Sequence, residues 1–527
     1  MSESNTLIKN FHLDFGSPTV PFNHYWELCV GSCHALTALR EDYRRQLEQC
    51  HKELGFKYVR FHGLFDDDMS VLLKGGTLLA REEGDFVLSF TNTDSIFDFL
   101  LSIGMKPFIE LGFMPSALSS GSCTIFHYQS HTSPPDDYGK WQWLVEQFTA
   151  HCVERYGLGE VRQWFFEVWN EPNLGSPDSP MGFWGGTKED YFKLYTRAAA
   201  GVKKVDPRLR VGGPATSDAA WIKEFVQYCR DSGTPVDFVS THNYPTDFAV
   251  GYRHGSGKKL FDPGELAKSA AMTPEQRAEM IREFIQQDQD KWRIVPRGIL
   301  TAFCREAREE AAGLPLYYTE WNSGGGIESD GPFGASFILK TCLDNHGLAE
   351  GYSYWTFTDI FEEQGMPHTP FHGGFGLLNL QGIPKASYRA FEILHRLGNE
   401  LYETKLAEGT VDVYAVKKAE SACIQILAVN HQSLGQGIST EDVAIRVSGL
   451  PAFAEARVEQ IDGNHGNALG RWRELGSPDY PSPEAVYDLL SASGVRPEKL
   501  DCRVREGAVD IQLRLPEQGA ALVTIYY

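Results

Sequence analysis

The chain has 527 residues, 42% of them hydrophobic, and a formal charge of −21. That charge disfavours nucleic acid and anionic membranes as partners, since both are held through basic patches. No apolar run reaches the roughly 18 residues of a membrane helix, and Met1–Asn5 has neither the basic nor the apolar region of a secretion signal, so a cytoplasmic setting is expected. The ten cysteines follow no metal spacing and are expected as reduced, mostly buried thiols.

Residues 1–20 are irregular, with one possible strand at Phe11–Phe15 that could add to a later sheet. From about 21 to 398 strand and helix alternate. Trp26–Val30 precedes a helix at Ala38–Gly55, Tyr58–His62 precedes Asp94–Gly104, and Pro107–Leu111 precedes Tyr138–Tyr156. The fourth strand, Trp164–Trp169, is followed by Glu189–Val205, and Leu209–Gly213 by Ala219–Asp231. Val236–Ser240 is followed by a long insert and helices within Thr273–Ala312. Leu314–Glu320 precedes Gly334–Asn345, and Tyr352–Phe357 precedes Ala386–Leu397. Eight such units predict an α/β fold, a (β/α)8 TIM barrel. After Gly398 short strands follow at Val411–Val416, Ile424–Val429, Val443–Val447, Val458–Ile461, Val509–Leu515 and Ala521–Tyr526. They predict a C-terminal β-sandwich over 399–527.

The fourth strand stops at Asn170-Glu171-Pro172-Asn173, and the seventh at Glu320-Trp321-Asn322. The two glutamates are 149 residues apart, so only the fold can join them. Parallel barrel strands would bring both out at one C-terminal mouth. Two carboxylates at one site are what glycoside hydrolysis needs. Glu110 and Glu167 lie on strands, and with Arg60 they are expected to fill the polar interior of the barrel. Other signals fall short. Gly255-Ser256-Gly257-Lys258-Lys259 lacks the first glycine and the Ser/Thr of a phosphate loop, and neither a His-Glu-x-x-His zinc motif nor a Gly-x-Ser-x-Gly elbow occurs.

The chain resembles glycoside hydrolase family 39, and within it the bacterial β-xylosidases. The resemblance runs through Arg60–Leu64, Phe108–Pro115, Phe166–Leu174, Val236–Ser240, Tyr354–Phe357 and Phe371–Gly376. It implies a retaining mechanism with Glu171 as acid/base and Glu320 as nucleophile. It also implies that Asn170 bonds the sugar 2-hydroxyl, that His62 and His242 bind sugar hydroxyls, and that Tyr244 donates to the nucleophile. Trp355 would form an aromatic floor, and Glu362 or Glu363 would meet sugar hydroxyls. The chain departs from the family at Trp321, where tyrosine is usual, in the loop Ser323–Gly326, and in Phe248–Ala271. The two carboxylates need no metal or cofactor. The implied function is an exo-acting β-1,4-xylosidase that removes xylose from the non-reducing end of xylo-oligosaccharides, as a monomer. The alternatives are the same machinery on a β-glucoside, α-L-arabinoside or uronide (as in an iduronidase), and a non-catalytic carbohydrate-binding protein.

Overall fold

The computed structural model describes residues 8–74, 86–177, 182–250, 292–324 and 326–527. Gly255–Lys259, most of Phe248–Ala271, Gly325 and the first part of Thr273–Ala312 lie outside the described residues. Eight parallel strands close into a barrel: Cys29–His34, Tyr58–His62, Lys106–Leu111, Phe165–Val168, Arg210–Thr216, Phe238–Asn243, Leu316–Trp321 and Gly351–Tyr354. Helices follow them, among them Glu41–Leu54, Thr91–Ser102, Tyr138–Tyr156, Lys188–Val205, Ile222–Ser232, Ile299–Glu310, Pro332–Asp344 and Ala386–His395. The first strand corrects an expectation. Tyr25–Glu27 is a 3-10 turn, and the strand begins only at Cys29. Trp26 is apolar enough to read as strand, but it is spent on a fully buried anchor stacked with His24 beneath the barrel.

The alternation of side chains along a strand sorts the barrel into layers. Phe166 and Val168 point outward into the core shared with the helices. Phe108, Phe165 and Phe238 point inward and form an aromatic plug with Cys29. Two residues further along, Glu110 and Glu167 sit side by side on neighbouring strands. Plug, charged layer and mouth thus stack in that order along the axis.

Two sheets make up the C-terminal β-sandwich. One contains Val411–Lys418, Cys423–Asn430, Ala520–Tyr526 and Glu455–Ile461, and the other Glu441–Ser448 and Ala508–Leu515. Lys9–Asp14 pairs in parallel with Glu441–Ser448, and Thr19–Pro21 pairs with Glu400–Tyr402. Inward residues such as Leu13, Val413, Ile426, Ile445, Ile511 and Val523 form a core of their own. Two helices, Ala468–Glu474 and Pro483–Ala492, interrupt the sandwich where only strands and turns were expected. They do not pack into its core. Leu469, Trp472 and Leu489 pack instead on Phe371 and Ile383, in the loop after the eighth barrel strand. Arg297 joins barrel to sandwich by pairing with Asp412 and donating to the His431 carbonyl at 2.7 Å. All ten cysteines are free thiols and eight are buried. Among the described residues no helix is long and apolar enough to cross a membrane.

Candidate active site

The fourth strand turns sharply after Val168. Trp169 (φ 74°) and Glu171 (φ 43°) both take left-handed backbone, costly for residues with a Cβ. Neighbouring strands hold them there: the Trp169 N–H donates to Leu111 O at 3.1 Å and the Glu171 N–H to Ala215 O at 2.8 Å. The turn carries Glu171 off the strand and over the axis. On the seventh strand Thr319 already points inward, so strict alternation would send Glu320 outward. The register shifts on both flanks of this strand, and His242 comes to pair with Glu320. A bulge re-aims side chains in this way. A carboxylate oxygen of each glutamate and a ring nitrogen of His242 consequently lie within 4.8 Å of one another.

Arg60, fully buried, organises the floor of the site. Its Nε donates to Glu167 Oε2 at 2.5 Å, Nη1 to Glu320 Oε1 at 2.8 Å, and Nη2 to Asn170 Oδ1 at 3.0 Å. Nη2 also lies 2.9 Å from Glu110 Oε2. The pairing of Arg60 with Glu110 and Glu167 was legible from the strand pattern, whereas its grip on Glu320 and Asn170 was not. Alternation showed only the face: Arg60 is two residues before His62 and therefore on the same side of the strand. Because Asn170 accepts through Oδ1, its amide nitrogen is its remaining donor.

The other expected residues gather here with different partners. Tyr244 Oη donates to Glu320 Oε2 at 3.0 Å. His242 Nδ1 is 3.0 Å from Glu171 Oε1 and 3.6 Å from Glu320 Oε2. His62 Nδ1 bonds Glu110 Oε2 at 2.7 Å, and its Nε2 points to Glu320 Oε1 at 3.7 Å and Glu363 Oε1 at 3.8 Å. Glu362 turns away to His34, at 3.6 Å, so Glu363 is the member of that pair that joins the cluster. The Trp355 ring lies 4.6 Å from His62 and 5.9 Å from the Arg60 guanidinium carbon. A Cβ on Gly31 would stand 2.4 Å from the Trp355 ring, so only glycine lets this indole lie flat on the first strand. Phe126 stacks over His62 at 6.1 Å and extends the aromatic wall; nothing in its local sequence marked it. Trp321, where the chain departs from the family's usual tyrosine, is core: fully buried, it packs on Tyr352 at 4.5 Å and donates to the Tyr352 carbonyl.

Burial and like charge set the protonation of this cluster. Glu171 is pushed well above the ordinary carboxylate range by burial, then by the charges of Glu320 and Asp247. Burial also raises Glu320, but the Arg60 charge and the Tyr244 hydrogen bond pull it back. Glu320 therefore gives up its proton first. Glu363 is driven well upward by burial and by Glu320, and Glu110 to about 7 by burial. His62 is lowered to about 3 by burial, and His242 well below its usual range by burial and by Arg60. Both imidazoles are neutral, so neither adds a cation to the site.

The family model described as Glycosyl hydrolases family 39 matches residues 10–290 and 284–500. A β-xylosidase of Caldicellulosiruptor saccharolyticus is 44% identical over 525 residues, 98% of each chain. A β-xylosidase of Geobacillus stearothermophilus is 34% identical, over 96% of this chain and 93% of its own. The crystal structure of a monomeric β-xylosidase from Caulobacter crescentus CB15 superimposes with a TM-score of 0.78 at 31% identity, covering 98% of this chain and 99% of that one.

Proposed function

Since the chain belongs to glycosyl hydrolase family 39 and is a glycoside hydrolase, we propose that it is a retaining exo-β-xylosidase, with Glu320 as nucleophile and Glu171 as acid/base. The observation that carries this reading is the approach of the two carboxyl groups, with an oxygen of each within 4.8 Å. Retaining glycosidases hold their carboxyl groups about 5–5.5 Å apart, whereas inverting ones leave room for a water. In the first step a Glu320 oxygen bonds to the anomeric carbon as the glycosidic bond breaks. The leaving oxygen takes the proton of Glu171. In the second step Glu171 removes a proton from water, whose oxygen displaces Glu320 and regenerates both side chains.

The surroundings suit these roles. Arg60 and Tyr244 each give one hydrogen bond to Glu320 and disperse its charge. The Asn170 amide supplies the donor for a sugar 2-hydroxyl, a contact that tightens as the oxocarbenium ion forms. Beside Glu320, His62, Glu363, Phe126 and Trp355 form one flank suited to a terminal sugar. Xylose is favoured because the relatives at 44% and 34% identity are β-xylosidases. A uronide would call for a free cation, and among the described residues of the cluster the Arg60 guanidinium is already committed to Glu110, Glu167, Glu320 and Asn170. Monomeric assembly is proposed by likeness to the monomeric relative.

The test is a comparison of rates on nitrophenyl β-xyloside, β-glucoside, α-L-arabinoside and uronide, with the first-formed anomer read by NMR. Preference for the xyloside and release of β-xylose are expected. Glu171→Ala should lose about 10²–10⁴-fold and recover with azide as a β-xylosyl azide. Release of α-xylose would overturn the retaining mechanism, and another preferred sugar would replace the substrate.

A further inference from the structure

His242 has two partners, and their chemistry determines which of its nitrogens carries the proton. Its Nε2 is 3.1 Å from Thr319 Oγ1. Thr319 Oγ1 has a single proton and donates it to Glu167 Oε1 at 2.7 Å. Glu167 can only accept, because its other oxygen is held at 2.5 Å by Arg60, which is always charged. With its proton spent on Glu167, Thr319 can only accept from His242, so the imidazole bears its proton on Nε2. Nδ1 is then a bare lone pair, and it faces Glu171 Oε1 at 3.0 Å. A hydrogen bond of that length between two acceptors requires a proton, and Glu171 must supply it.

We propose that Glu167 and Thr319 are positioning residues that fix the tautomer of His242 and thereby hold the proton of Glu171 on the oxygen facing it. The chain runs from Glu171 through His242 and Thr319 to Glu167 and ends on Arg60. All four side chains before Arg60 are buried. The arrangement acts in both halves of the reaction. Before the first step it stabilises the neutral acid, because an acceptor at Nδ1 favours the protonated form; as the bond to the leaving group breaks, the O–H turns from Nδ1 to the leaving oxygen. After Glu171 has given its proton away, the carboxylate faces a lone pair and is a stronger base toward the incoming water. Among the described residues the other ionisable groups facing Glu171 and His242 include Glu320, Asp247, Glu363, Tyr244, Arg60 and His62. The polarity of the chain is set from its far end, by Arg60 through Glu167 and by the single proton of the Thr319 hydroxyl.

This inference rests on Glu171 being the acid/base, and its test is separate. Thr319→Val removes the acceptor for Nε2–H, so that His242 moves its proton to Nδ1 and donates to the Glu171 carboxylate. The alkaline limb of kcat/KM should fall by about one pH unit or more, the effect of one charge-assisted hydrogen bond. The acidic limb should stay in place, and Thr319→Ser should restore the alkaline one. Histidine-selective 15N NMR on the wild-type protein reads the tautomer without any activity: His242 should show a protonated Nε2 and an imine-like Nδ1. An unmoved alkaline limb in Thr319→Val, or a wild-type His242 protonated at Nδ1, overturns the proposal. Failure of the acid/base reading would instead appear as full activity in Glu171→Ala.

Discussion

Two buried ionic clusters lie at the same end of the barrel. In one, Lys385 Nζ sits 2.6 Å from Asp330 and 2.7 Å from Asp359, and donates to the Gly374 carbonyl at 3.1 Å. The Gly373 and Gly376 N–H groups donate to the outer oxygens of those aspartates at 2.9 and 2.8 Å. Donors and acceptors are nearly matched, and the cluster staples the loops after the seventh and eighth strands. In the other, Glu110, Glu167, Glu171, Glu320 and Glu363 gather around the single guanidinium of Arg60, with two neutral histidines between them. Among the described residues carboxyl groups outnumber cations there, and burial with mutual repulsion keeps protons on some of them. The matched cluster is scaffold, whereas the unmatched one stores a proton that chemistry can use.

The sharpest break in this contrast is the loss of the group that stays charged. Glu320→Ala should reduce kcat by on the order of 10⁴-fold or more, with an unchanged circular dichroism spectrum. Near wild-type turnover would remove Glu320 from the mechanism. Lys385→Met should act in the opposite way: two buried aspartates lose their cation, which costs about 3–5 kcal/mol of stability. Calorimetry should register a clear fall in denaturation temperature, while the pH profile of the surviving activity keeps its shape. A shifted profile would mean that the two clusters are coupled.

Smaller changes sharpen the comparison. Tyr244→Phe removes one of the two hydrogen bonds to Glu320, so kcat should fall about 10–100-fold and the acidic limb should move upward, readable from kcat/KM against pH. The mildest effect concerns stability. Burial raises Glu171, so the folded chain holds a proton that the unfolded chain has already lost. Its contribution favours folding fully below the unfolded carboxylate pKa and is lost as pH rises through the folded value. Glu171→Gln removes that loss. It should denature at a higher temperature than wild type at neutral pH, by the equivalent of about 1 kcal/mol, and the gap should narrow toward pH 4. A constant gap across that range would show that the proton on Glu171 does not titrate with folding.

What was readable in the chain followed from local period. Eight apolar segments with a helix after each predict a barrel, and the strand-end positions of Glu171 and Glu320 place both at one mouth. Alternation along Tyr58–His62 and Phe165–Glu167 places Arg60, His62 and Glu167 on an inner face. Trp26 misled because a large apolar side chain reads alike in a strand and in a buried turn. The helices at Ala468–Glu474 and Pro483–Ala492 were passed over because their apolar residues serve the barrel rather than the sheet that contains them.

The sequence by itself determined the barrel, the sandwich and the pair of glutamates, because side-chain period and strand-end chemistry are properties of neighbouring residues. Only the tertiary structure decided that Arg60 reaches Glu320, that Glu363 rather than Glu362 joins the site, that Trp321 is core, and that Thr319 polarises His242. Each of these is a partnership across tens to hundreds of residues. Closure of the barrel and two register shifts set which donor meets which acceptor, and no local pattern records that.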